Sequence, residues 1–152
     1  MCLTGATGLI DVRCTPTPPA LDCFQVDFGV MVELNLNETN PEMPMAFDPT
    51  GITGFAFDLV GPQVPNNLAF GAVTDEGEYF CKMIPGQPTT GPGPTEVPTT
   101  ELKVGCHKIP ATGPSLAAVM PRLVSLRWKV GGATTVSVPF DFCIQNLRAL
   151  TE

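Results

Sequence analysis

Glycine and proline interrupt this chain too often for long helices to form: 15 glycines and 17 prolines, 32 of 152 residues, stand between short apolar runs. Proline removes a helix donor and clashes with the preceding turn, and glycine carries a large entropic cost in a helix. The runs left between them alternate apolar and polar side chains, the period of a strand with one buried face. In Val30-Met31-Val32-Glu33-Leu34-Asn35-Leu36, the last part of a strand over residues 24–36, the even positions face one way and Met31, Glu33 and Asn35 the other. Residues 51–60 send Phe55, Phe57 and Leu59 to one side, and the pair Gly61-Pro62 is expected to end that strand. Residues 67–74 and 78–84 form two strands joined by Asp75-Glu76-Gly77, a short glycine-containing hairpin loop. A further strand covers 101–108, and Ser115–Met120 is the one helical stretch, stopped by Pro121. Residues 123–130 place Val124, Leu126, Trp128 and Val130 inward, and residues 138–147 place Val138, Phe140, Phe142 and Ile144 inward. These strands, about eight in number, describe an all-β chain: a β-sandwich of jelly-roll type with antiparallel strands.

Two stretches fall outside this pattern. Residues 1–23 hold three of the six cysteines and Thr15-Pro16-Thr17-Pro18-Pro19, and read as an extended, disulfide-stapled arm. Residues 85–100 carry five prolines, three glycines and five threonines without apolar periodicity, and read as a long mobile surface loop within a single domain over 1–152. The cysteines at 2, 14, 23, 81, 106 and 143 lack the paired Cys-x2-Cys spacing of zinc sites, so they are expected to form three disulfides in a secreted protein. A Cys81–Cys106 bridge would tie the base of the proline-rich loop; the other four cysteines leave three connectivities open.

Charge and motifs remove several function classes. The formal charge is −7, and no basic cluster exceeds Arg127-Trp128-Lys129, which argues against nucleic acid as a partner. No apolar run is long enough to insert into a membrane. His107, the single histidine, adjoins a disulfide cysteine and reads as a loop-edge residue, and no nucleophile elbow, zinc helix or phosphate loop is present. Catalysis would rest on carboxylate pairs drawn from Glu33, Asp58, Glu78 and Asp141; a solvated strand face explains them equally, and the chain is read as non-catalytic. No cofactor is expected. A structural calcium ion would draw on Asp11, Asp48 and Asp141, and Asn37-Glu38-Thr39 is a formal glycosylation acceptor.

Sugar recognition combines flat rings with side chains that bond hydroxyls. Trp128 shares the core phase of β-branched and leucine neighbours, whereas Tyr79 is out of phase with Phe80 and is the ring expected to be exposed. The polar phase collects Glu33, Asn35, Arg127, Lys129, Asp141 and Gln145, and the glycan-binding set is taken as Tyr79, Arg127, Lys129, Asp141 and Gln145 on one sheet face. Residues 51–58, 123–130 and the closing Val138-Pro139-Phe140-Asp141-Phe142-Cys143-Ile144-Gln145-Asn146-Leu147 resemble strands of galactose-binding-like jelly-roll domains, over roughly residues 30–150. That resemblance implies a non-catalytic carbohydrate-binding module of a secreted bacterial protein, fused to or associated with a glycoside hydrolase. One tryptophan and one tyrosine are too few for a crystalline-polysaccharide binder. The alternatives are a structural or adhesive sandwich that binds protein or itself, and a small carbohydrate-active enzyme.

Overall fold

The computed structural model describes residues 1–7, 29–36, 46–85, 94–106, 113–119, 122–132 and 136–152. Nine strands occur among them: β1 (Cys2–Ala6), β2 (Val30–Asn35), β3 (Ile52–Gln63), β4 (Leu68–Thr74), β5 (Tyr79–Ile84), β6 (Thr95–Pro98), β7 (Lys103–Val104), β8 (Leu123–Val130) and β9 (Pro139–Thr151). The one helix among the described residues, α1 (Leu116–Val119), buries Leu116. The strands form two antiparallel sheets, ordered β1-β9-β3-β6 and β2-β8-β4-β5-β7. The protein is an all-β sandwich.

The core lies between the sheets. Phe57 from the four-stranded sheet meets Phe70 and Trp128 from the five-stranded one, with ring centroids 4.8 and 5.4 Å away, and those two rings lie 5.0 Å apart. Tilted and edge-on contacts of this kind add to the area these side chains bury. Phe140, Phe142 and Ile144 complete the inward row of β9, as the alternation predicts, and Trp128 is a core residue. The β4–β5 hairpin forms as expected. Gly77, at φ +83°, donates to the Thr74 carbonyl, and the Glu78 amide donates to the Thr74 hydroxyl. Glycine meets that left-handed backbone at little cost.

Besides the strand expected over 101–108, which among the described residues narrows to Lys103–Val104, three expectations need correction. The arm begins as part of the sheet: β1 pairs along β9, Leu3 packs against the core, and Cys2 is bonded to Cys143 in register. The strand sits ahead of the proline-rich stretch, whose composition dominated the sequence reading; residues 8–23 lie outside the described residues. Within the stretch read as a loop, β6 pairs with β3, because one residue, Val97, is wholly buried in the core. Gly54 makes that approach available, since a Cβ there would lie 2.8 Å from the Val97 carbonyl oxygen. Pro98 is tolerated because β6 is an edge strand. Third, β3 runs through Gly61-Pro62 to Gln63, with a register shift against β9 between Val60 and Gln63 that accommodates the proline.

Among the described residues the bridges are Cys81–Cys106, as expected, and Cys2–Cys143. The second selects among the open connectivities, leaving Cys14 and Cys23, which lie outside the described residues, as do His107, Asp11 and the 37–39 acceptor triplet.

Candidate functional site

The outer face of the five-stranded sheet is built from the strand register. Glu33 on β2 lies opposite Arg127 on β8, Arg127 opposite Gly71 on β4, and Gly71 opposite Cys81 on β5. One row along, Met31, Lys129, Ala69 and Met83 stand in line. Arg127 Nη2 lies 2.8 Å from Glu33 Oε1, and the Ser125 hydroxyl donates to the same oxygen. Glu33 and Arg127 keep 29% and 26% of their side-chain surface, so the pair is anchored and still reachable. Burial pushes the Glu33 carboxyl up, but hydrogen bonds from Arg127 and Ser125 and the charges of Arg127 and Lys129 outweigh it, so its pKa falls below the ordinary carboxylate value.

Tyr79 belongs to this face, but not as an open platform. Its ring packs with Ala69, Cys81 and Cys106, and lies over Gly71, where a Cβ would come within 2.6 Å of the ring. Lys129 Nζ sits 4.4 Å from the ring centroid, a cation–π contact. The expectation of an exposed ring is therefore corrected. Strand phase shows that Tyr79 points away from the main core, yet the disulfide and Lys129 enclose it on the other side. Burial drives its hydroxyl well above the usual phenol range, against the lowering charge of Arg127. The Tyr79 hydroxyl and Arg127 Nε are both enclosed without a hydrogen-bond partner among the described residues. Burial and the Arg127 charge hold the Lys129 ammonium below its ordinary value, with Glu33 acting the other way.

Asp141 and Gln145 lie elsewhere. Both are on β9 of the four-stranded sheet, where Asp141 accepts from the Thr4 hydroxyl at 2.8 Å and Gln145 stands opposite Asp58. Alternation tells which side of its own sheet a residue takes, not which sheet it belongs to, so the five-residue set divides three and two. The carboxylates divide as well: Glu33 belongs to one sheet, Asp58 and Asp141 to the other, and Glu78 to the hairpin turn. Asp58 accepts from Asn146 Nδ2 at 2.5 Å. Asp48 accepts from the Thr50 hydroxyl at 2.7 Å and its amide at 3.0 Å, which lowers its pKa and closes a turn. Among the described residues, no three carboxylate, thiol or imidazole side chains gather as a metal site would need.

Sequence reasoning underrated Glu33, Ser125 and Gly71. Gly71 carried a signal, since a glycine inside an apolar strand marks a close approach. Comparison with protein families, curated proteins and solved structures finds no match.

Proposed function

We propose that this sandwich is a non-catalytic carbohydrate-binding module and that its ligand lies on the outer face of the five-stranded sheet. The observation that carries the reading is the Glu33–Arg127 pair, fixed by Ser125 and flanked by Lys129. Sugar hydroxyls both donate and accept; a carboxylate and a guanidinium held side by side on paired strands serve both needs without reorganising. Tyr79 is the floor beneath Lys129 in this reading, and Asp141 and Gln145 drop out of the binding set. Two disulfides and the absence of any long apolar helix among the described residues fit a secreted module. Its neighbour in such a protein would be a glycoside hydrolase.

Affinity electrophoresis through gels containing soluble polysaccharides tests the proposal. Wild-type protein is expected to be retarded by at least one polymer, and Arg127→Ala to migrate as in a polymer-free gel with its near-ultraviolet dichroism intact. Equal retardation of both would refute the assigned face. The adhesive reading draws on Met31 and Leu34, 46% and 42% exposed on edge strand β2. It requires concentration-dependent oligomers in light scattering, lost in Met31→Lys.

A further inference from the structure

We propose that the Cys81–Cys106 bridge is a redox latch on the five-stranded face: a dithiol that reduces it frees the ring of Tyr79 and gives the glycan site an aromatic platform. This rests on the glycan-binding proposal and names its regulation. The bridge and the ring form a small cluster of their own. Ala69, Cys81 and Cys106 are its buried members and Tyr79 packs against them, apart from the main core between the sheets. Tyr79 and Cys81 share one phase of β5, whereas Phe80 between them enters the main core. Opening the small cluster therefore leaves the packing of Phe57, Phe70 and Trp128 in place.

The segment that covers the ring is anchored unevenly. Leu102 is wholly buried, Val104 packs against the main core, and β7 pairs with β5 through Val104 opposite Phe80 and Lys103 opposite Cys81. Among the described residues that ladder ends at Val104. Gly105, at φ +71°, turns the chain, and Cys106 is tied to the face by its bond to Cys81. Cys106 keeps 8% of its surface against 1% for Cys81, so an attacking thiolate meets Cys106 Sγ first. A new S–S bond forms there, the old one breaks, and its electron pair leaves on Cys81 Sγ, which takes up a proton. The second thiolate of the reductant then displaces Cys106 Sγ, which is protonated in turn. The protein gains two electrons and two protons, and the dithiol becomes a cyclic disulfide. Without Cys106 the enclosure of Tyr79 loses one wall, while Lys129 Nζ, 4.4 Å from the ring centroid, keeps the ring seated. The ring lies over Gly71, which stands opposite Arg127, so the uncovered platform adjoins the Glu33–Arg127 pair. A flat apolar ring beside groups that bond hydroxyls suits a pyranose.

Tyr79 is the only tyrosine and reports its own release. Cys81→Ala/Cys106→Ala, with the Cys2–Cys143 bridge kept, stands in for the reduced state. Its alkaline difference absorbance should show tyrosinate forming near pH ~10, with Trp128 fluorescence unshifted. In wild type treated with dithiothreitol, mass mapping of alkylated thiols should find Cys81 and Cys106 reduced in step with the same signal, and reoxidation should abolish it. In gels containing soluble polysaccharides the variant should bind about tenfold more tightly than wild type, and an added Tyr79→Leu should remove the gain. A tyrosine that stays enclosed without the bridge, a red-shifted Trp128, or wild-type retardation that the variant does not exceed overturns the latch and leaves glycan binding to its own test. Release of Tyr79 with free migration of both proteins in every gel overturns glycan binding and leaves the latch over Tyr79 standing.

Discussion

The Cys2–Cys143 bridge spans a sequence separation of 141 residues, so it closes nearly the whole chain into one loop. In the chain-entropy account a cross-link disfavours the unfolded state in proportion to the logarithm of loop length, which for this loop amounts to about 5 kcal/mol. Native packing contributes little to that figure: Cys2 is exposed, Cys143 half-buried, and β1 brings only Leu3 against the core. The variant Cys2→Ala/Cys143→Ala should therefore fold to the same sandwich and lose about 5 kcal/mol, or about 10–20 °C in Tm. Urea unfolding followed by Trp128 fluorescence measures the loss. The m-value should rise in the variant, because an unfolded chain freed from its largest loop exposes more surface. A loss under about 1 kcal/mol with an unchanged m-value would refute the reasoning, since it would mean that the bridge does not restrain the unfolded chain.

Four further outcomes can be checked. Trp128→Ala removes the ring packed against both Phe57 and Phe70 and should cost about 3–5 kcal/mol in denaturant titration. Gly71→Ala drives a methyl into the Tyr79 ring and should cost about 1–3 kcal/mol, while also weakening any polysaccharide retention. Tyr79 is the only tyrosine, so alkaline difference absorbance should show no tyrosinate near pH ~10, where a free phenol titrates, until the protein unfolds. Because the folded state holds that proton more tightly, the contribution of Tyr79 to stability is lost as pH rises above the unfolded value. Glu33 runs the other way: its lowered folded pKa supplies stability above about pH 4.3, lost as pH falls through the folded value, so Glu33→Gln should flatten the acid limb of stability.

What the sequence revealed of the fold follows from where a physical signal was local. The inward rows Leu126, Trp128 and Val130 of β8 and Phe140, Phe142 and Ile144 of β9 were legible because those segments alternate, whereas at the start of β8 a register shift buries Leu123 in place of the expected Val124; the β4–β5 hairpin was legible because its turn glycine falls between two strands. β1 and β6 were hidden since each is held by partners far away in sequence: β1 by Phe142 and Cys143, β6 by Gly54 and by burial of the single side chain Val97. The site was legible in chemistry but not in assembly. Arg127 and Lys129 stand on the outward phase as read, but periodicity carries no information about sheet membership, so Asp141 and Gln145 were joined to a face they do not share. Tyr79 shows the remaining blind spot, since a side chain outside the main core can still be enclosed by a disulfide and a neighbouring lysine.

The near-circular covalent outline has a consequence for survival among proteases. A single backbone cut anywhere between residues 2 and 143 cannot separate the two pieces while the outer bridge is intact. The fragments stay at high effective concentration and can re-associate as a nicked but whole sandwich. Only a second cut, or a reductant reaching Cys2 and Cys143 at the sheet margin, would let a part diffuse away.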